Sequence, residues 1–284
     1  MRVLFLGLLV LVGCSQSPIS QARYHLGDPY RAGGLWSYPK EEFALEEGGI
    51  ASIMPGATGL TANGELRDGQ AMVAAHRTLQ LPAIVTVTNL ENGRSLRLRV
   101  HERGPAAAGR IVAVSPRAAA LLGASGPFRA RVVLDGNASR AAIEGLAGQA
   151  ALLSIATAPV GSVERESLAP PEGARAGAAR ATATPRAVSE TAAPQREPER
   201  LGEQVIQGVA NPGQIWLEAG RFFRRDLAQA QAARLGGQAE PFGPPGRQQQ
   251  WRVRAGPYAS IAEADAALAR AIALGQPDLR LAVE

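Results

Sequence analysis

The sequence predicts a mainly β domain built as a small barrel, followed by a compact α+β sandwich. Three observations carry that division. Strand-like alternation and turn signals fill residues 24–135, and residues 157–204 lose almost every aromatic and large aliphatic side chain. From Gln214 to Glu284 helical and strand periodicities return. A chain of 284 residues is long enough for one or two domains.

The N-terminus comes first. Arg2 gives a minimal positive start, Val3 to Val12 run apolar with only Gly7 interrupting, and Leu11-Val12-Gly13-Cys14 closes the segment. This is the layout of a secretory signal over residues 1–13, and it is shorter than the roughly 20 apolar residues that span a bilayer. The residues before Cys14 resemble a lipobox, the processing signal of bacterial lipoproteins. That resemblance implies that Cys14 carries lipid and becomes the new N-terminus. Several acyl chains would anchor the protein firmly, at roughly 0.8 kcal/mol per buried methylene. Ser15, where retained lipoproteins have Asp, implies outer-membrane sorting.

The single cysteine excludes an internal disulfide framework, a zinc-thiolate cluster and a Cys-x-x-Cys redox pair. No metal and no cofactor are expected. The formal charge of +5 would ordinarily suggest nucleic acid as a partner. Almost all of that charge is arginine, Lys40 being the one lysine, and alanine is abundant. The pattern looks like codon composition rather than a binding surface, and no nucleic-acid partner is expected of an exported chain.

Within residues 24–135, Ile84-Val85-Thr86-Val87-Thr88 is β-branched, Asn92-Gly93 is a turn signal, and Leu96-Arg97-Leu98-Arg99-Val100 alternates strictly. Together they predict a hairpin that buries Leu96, Leu98 and Val100. Ser115-Pro116 opens a short helix, with Ser as N-cap and Pro at the first helical position, and Gly123 stops it. Arg131 to Leu134 make a closing strand. One short helix among several strands suggests a small barrel. Ala141 to Leu153 have the composition of one further helix.

The Ala-, Pro- and Arg-rich stretch 157–204 cannot bury enough apolar area to offset its ordering entropy, which predicts a disordered linker. A flexible chain of that length spans roughly 40 Å. Residues 208–284 then read strand, helix, strand, strand, helix, strand. Ile215-Trp216-Leu217 begin the first strand, and Asp226 to Leu235 make a helix ended by Gly236-Gly237. Gln250 to Arg254 form a middle strand, Ser260-Ile261-Ala262-Glu263 is a capping box, and Leu279 to Val283 close the domain.

The motifs in this order resemble the rare lipoprotein A family. They are Tyr24 to Tyr30, Gly34 to Pro39, Gly49-Ile50-Ala51-Ser52, Thr61 to Glu65, Ala71 to Leu79, Thr88 to Arg94 and Arg103-Gly104-Pro105. The C-terminal part is similar to a SPOR domain, on its aromatic strand start and Trp251 to Tyr258. The resemblance implies a six-stranded double-psi β-barrel, a linker and a βαββαβ SPOR sandwich. It also implies a lytic transglycosylase at the septum, cleaving peptide-free peptidoglycan strands to 1,6-anhydromuramoyl ends.

In such an enzyme the attacking hydroxyl belongs to the substrate, so one carboxyl group can serve first as acid and then as base. Ordinary glycosidases need two. The family positions fall on Glu65, His76 and Glu102. The last replaces an aspartate and sets the acid one methylene further out, which makes catalysis by Glu102 the point at issue. The family's Trp-Tyr-Gly after the first strand is also absent, Ser52 being followed by Ile53-Met54-Pro55. Those two departures favour, as an alternative, a peptidoglycan-binding lipoprotein that has lost its cutting activity. Trp216, Phe222, Trp251 and Tyr258 are the candidate glycan-binding aromatics, divided between sheet core and surface.

Overall fold

The computed structural model describes residues 20–150, 200–246, 249–276 and 278–284. The signal segment 1–13, Cys14 and the linker up to residue 199 lie outside the described residues. Among the described residues, thirteen strands and four helices follow in order. A lead-in hairpin comes first, β1 (Tyr30–Ala32) and β2 (Leu35–Ser37). The barrel part holds β3 (Glu46–Ile53), β4 (Val73–His76), β5 (Ala83–Asn89), β6 (Arg94–Arg103), β7 (Arg110–Val114), α1 (Pro116–Leu121), β8 (Phe128–Leu134) and α2 (Gly136–Ala150). The C-terminal part holds β9 (Val205–Gln207), β10 (Ile215–Phe222), α3 (Arg225–Leu235), β11 (Gln238–Phe242), β12 (Gln250–Tyr258), α4 (Ile261–Ala273) and β13 (Leu279–Val283).

Strands β3, β7, β4, β6, β5 and β8 pair in that order, and β8 pairs back to β3. The ring is therefore a closed six-stranded barrel. Two of its pairings, β3 with β7 and β4 with β6, are parallel, and the others are antiparallel. Alternation explains the filling. Leu96, Leu98 and Val100 of β6 meet Val85 and Val87 of β5, Val112 and Val114 of β7, and Phe128, Ala130 and Val132 of β8 in one dry core. Truncating a fully buried leucine there, such as Leu98→Ala, is expected to cost about 2–5 kcal/mol.

The local signals act as physical chemistry predicts. Ser115 Oγ accepts from the Ala118 amide and caps α1, with Pro116 behind it. The Leu122 carbonyl left over at the far end of α1 takes the amides of Asn89 and Asn92 from the β5–β6 turn. Gly93 supplies the positive φ (78°) that this turn requires.

The C-terminal sheet runs β11-β12-β10-β13, all antiparallel, with α3 and α4 on one face. Ser260 Oγ accepts from the Glu263 amide, and the Glu263 carboxylate reaches back to the Ala259 amide, one residue before the position a capping box uses. Ala264, Ala267, Leu268 and Ala271 form the buried face of α4.

The two parts share a seam. The first half of β3 lies beyond the start of β7, and β13 meets that uncovered edge at Ala282 and Gly49. Gly48 is required here, because a Cβ would stand 2.2 Å from the Val283 carbonyl oxygen. Arg110 and Asp265 close the seam as a bidentate pair, both contacts 2.6 Å. β9, just after the predicted linker, pairs with β6 at Arg94 to Leu96. Among the described residues no helix is long and apolar enough to cross a membrane.

Candidate active site

The three family positions sit around one end of the barrel, on β4, on β6 and on the loop between β3 and β4. Thr61, Asn63 and Gly64 shape that loop. The Gly64 amide donates to the Thr61 carbonyl, the Thr61 amide donates to the Glu65 carbonyl, and Thr61 Oγ bonds Asn63 Oδ1 at 2.7 Å. Gly64 has φ 84° and lies against the Gln21 carbonyl, so no side chain fits. The turn delivers Glu65 inward, and it is buried.

Glu65 is held from three directions. Arg99 donates through Nε (3.0 Å) and Nη2 (2.7 Å), Asn63 Nδ2 donates at 2.7 Å, and His101 Nδ1 lies 3.1 Å from Oε2. Burial by itself would raise the carboxyl pKa. The hydrogen bonds from His101 and Arg99, the Arg99 charge and the Asn63 amide outweigh it and lower the pKa to about 2. Glu65 is thus an anion at neutral pH and well below it. With Nδ1–H of His101 turned to that anion, a neutral His101 keeps its lone pair on Nε2.

Glu102 reaches the same loop by a different route. Along the β4–β6 pairing, Ala74 faces Val100 and Ala75 faces Glu102, so His101 is the extra residue of a β-bulge. Without the bulge, Glu102 would follow Val100 on the barrel interior. With it, Glu102 shares a face with Arg99, which pairs with Val73. Glu102 Oε1 accepts from its neighbour's amide, Arg103 N at 2.8 Å, and from Ala62 N at 3.2 Å. Oε2 forms an ion pair with Arg67, whose side chain is 37% exposed. Arg103 is not the carboxylate's ionic partner. Its guanidinium donates instead to the carbonyls of Leu79, His25 and Leu26, tying the lead-in segment to the barrel.

His76 does not join this cluster. Its register partners, Arg103 on β6 and Val112 on β7, place it on the other face of the strand. Nδ1 accepts from the amides of Thr78 (3.3 Å) and Leu79 (3.2 Å), which puts the ring proton on Nε2, 2.9 Å from Glu47 Oε1. Burial tends to raise the Glu47 pKa, but the His76 hydrogen bond and charge bring it below the usual carboxylate value. A cleft of about 410 Å³ opens on the Glu47 side, at the seam. Glu46, Arg131, Asn211 and Glu284 line it, and Glu65 and Glu102 do not.

Sequence reasoning singled out the three family positions and passed over Arg99, His101, Asn63, Arg67 and Glu47. Arg99 and His101 carried a faint signal, as polar residues out of phase with Leu96, Leu98 and Val100. The partners of Glu47 and Arg67 are remote in sequence and carried none. Among the described residues no cluster of His, Cys, Asp or Glu could hold a metal.

The four candidate aromatics of the C-terminal sheet divide by face. Phe222, Trp251 and Tyr258 pack against the core beneath α3 and α4. Trp216 lies on the opposite face, with the Arg254 guanidinium 4.0 Å above its ring. That face is otherwise a lattice of ion pairs, including Arg254 with Glu240 (2.6 Å) and Glu284 (3.1 Å), and Arg252 with Glu218 (3.4 Å).

Residues 46–136 match the family model described as "Lytic transglycolase", and residues 211–278 match the SPOR domain. Relatives named endolytic peptidoglycan transglycosylase RlpA include one from Pseudomonas aeruginosa, 49% identical over 76 residues, 27% of this chain and 22% of that protein. One from Rickettsia bellii is 38% identical over 104 residues, 35% of this chain and 46% of its own. One from Escherichia coli is 34% identical over 107 residues, 37% and 30% respectively. The chain thus spans less than half the length of each.

Proposed function

We propose that this chain, whose folded parts match the lytic transglycosylase and SPOR models and which is similar to RlpA proteins over part of its length, is an endolytic peptidoglycan lytic transglycosylase of the cell envelope. In this reading it acts on peptide-free glycan strands, with Glu102 as the single acid and base. The observation that supports it best is the bulge at His101, which turns Glu102 out of the barrel core toward the Glu65 loop. Two backbone amides hold Oε1 and leave Oε2 to a half-exposed arginine, so substrate can take the place of Arg67.

Protonated Glu102 gives its proton to the leaving N-acetylglucosamine oxygen as the bond to muramic acid C1 breaks. The resulting carboxylate takes the proton of the muramic acid C6 hydroxyl as O6 closes on C1. The 1,6-anhydro ring forms and the acid is regenerated, with no water consumed. Glu65 remains charged throughout and orients Arg99 and His101. His76 orients a carboxylate, that of Glu47. Trp216 and the charged face around it take the glycan on the C-terminal sheet, while Phe222, Trp251 and Tyr258 give that sheet its shape.

Lipid on Cys14 would hold the chain to the outer membrane facing the periplasm, enriched at the septum by its SPOR domain. Cys14→Ser is expected to release it to the soluble fraction. Digestion of peptide-free glycan strands tests the chemistry: wild type is expected to yield 1,6-anhydromuramoyl ends and Glu102→Gln none. Absence of that product from both ends the enzymatic reading. A binding lipoprotein without cleavage is the second reading, favoured by the missing Trp-Tyr pair and by Arg67 seated on Glu102.

A further inference from the structure

The lead-in hairpin carries two aromatic rings in solvent. On β2, Leu35 and Ser37 are buried, while Trp36 and the following Tyr38 are 60% and 59% exposed. Their ring centroids lie 6.4 Å apart with an interplanar angle of 26°, so they present a nearly continuous apolar face. Isolated exposed aromatics are unremarkable, but a stacked pair on a rigid base is not a by-product of packing.

The base is rigid on both sides. Arg77, one residue beyond His76, donates from Nε to Ser37 Oγ (3.0 Å) and from Nη2 to the Ala32 carbonyl (3.3 Å). Tyr30 Oη donates to the Arg77 carbonyl (3.1 Å), and the Lys40 amide donates to the Thr78 carbonyl (2.9 Å). On the other side Leu35 enters the core of the C-terminal sheet, and Gly34 rests against Ile272 of α4.

The platform also leads to the acid. Tyr38 and Glu41 are three residues apart, at most about 11 Å of chain. The Glu41 carboxylate accepts from Tyr24 Oη (3.1 Å), and the carbonyl of the next residue, His25, accepts from Arg103, the neighbour of Glu102 (3.5 Å). Arg31 stands opposite Trp36 on β1, and Lys40 and Glu41 follow Tyr38 within three residues, so hydrogen-bonding groups accompany the rings along the chain. Flat apolar faces fringed by such groups match a pyranose ring, which has an apolar face and a polar edge.

We infer that Trp36 and Tyr38 form a sugar-stacking subsite for the glycan strand on its way to Glu102, in the role vacated at Ile53-Met54-Pro55. This rests on the glycan substrate proposed above, but it is tested by binding rather than turnover. Peptide-free glycan oligosaccharides are titrated into the full chain by calorimetry, with Tm as a control for folding. Trp36→Ala and Tyr38→Ala are each expected to raise Kd about tenfold, and Trp36→Phe less than about threefold.

An unchanged Kd in the double alanine variant overturns the subsite, and so does absence of saturable binding by wild type. Wild type that binds, loses affinity on Trp36→Ala and yet makes no anhydro product keeps the subsite and removes the catalytic reading. Product formation with Kd and KM indifferent to both rings does the reverse. Binding to anionic phospholipid vesicles that vanishes in Trp36→Ala, with glycan affinity intact, would reassign the rings to a membrane surface.

Discussion

Glu65 and Glu102 hang from one corner of the barrel, both touching the loop 60–67, and their surroundings could hardly differ more. Glu65 is buried among an arginine, a histidine and an asparagine, each aimed at it. Glu102 leans on two backbone amides and one arginine that solvent can reach. The first arrangement makes a charge that persists well below neutral pH, and the second a charge whose partner can be exchanged. Acid–base work needs the second kind; a frame around it needs the first.

The sharpest way to break this division is at Glu102. Glu102→Gln is expected to reduce 1,6-anhydro product formation by about 10²–10⁴-fold, the usual worth of a positioned acid or base, with Tm unchanged. Glu102→Asp restores the family residue and is expected to stay within about tenfold of wild type. If Glu65→Gln abolished turnover while leaving the fold intact and Glu102→Gln did not, the two roles would have to be swapped.

The next effect is on stability. Arg99→Leu leaves the Glu65 carboxylate buried without its main partner, and chemical denaturation should show a loss of about 3–5 kcal/mol. Arg67→Ala removes a partner that is 37% exposed and lets water reach the otherwise buried Glu102 Oε2 in its place, so it should cost no more than about 1 kcal/mol. Equal losses from the two would erase the contrast.

Acid sharpens the comparison further. A carboxyl depressed from 4.5 to about 2 in the folded state adds stability that is present above pH 4.5. That stability is lost as pH falls toward 2, and it amounts to about 3 kcal/mol. Glu65→Gln should therefore flatten the stability profile over that window, as read by urea unfolding at stepped pH. The smallest effect concerns the seam. Asp265→Ala removes a pair with one half-exposed member and should lower stability by about 1 kcal/mol or less, whereas Gly48→Val should open the seam and raise the radius of gyration in solution scattering.

The strands of the barrel were legible because alternation is a local pattern: Leu96, Leu98 and Val100 announce a buried face without reference to any partner. The caps of α1 and α4 were legible for the same reason, since Ser115-Pro116 and Ser260 to Glu263 act within one turn. The seam was not. β9 follows a stretch read as linker, and its pairing with Arg94 through Gln207 crosses 113 positions of sequence that leave no periodic trace. Glu65, His76 and Glu102 were found by resemblance. Their division into a frozen anion, a histidine turned to Glu47 and a free acid depends on contacts such as Arg99, 34 residues from Glu65, which only the fold supplies. The exposed pair at Trp36 and Tyr38 was visible as residues but not as a surface, because exposure is a property of what stays away.

The bulge on β6 has a consequence for how this chain can vary. What positions the acid is the supernumerary residue, which resets the alternation of the strand after Val100. Deleting His101 would turn the bulge into a regular ladder and leave Glu102 opposite Ala75 on the same face, at the loss of one partner of Glu65. Straightening the strand with every residue kept would instead slide its end by one and send Glu102 into the barrel. Here the chain can lose a residue more safely than it can lose the kink that holds it.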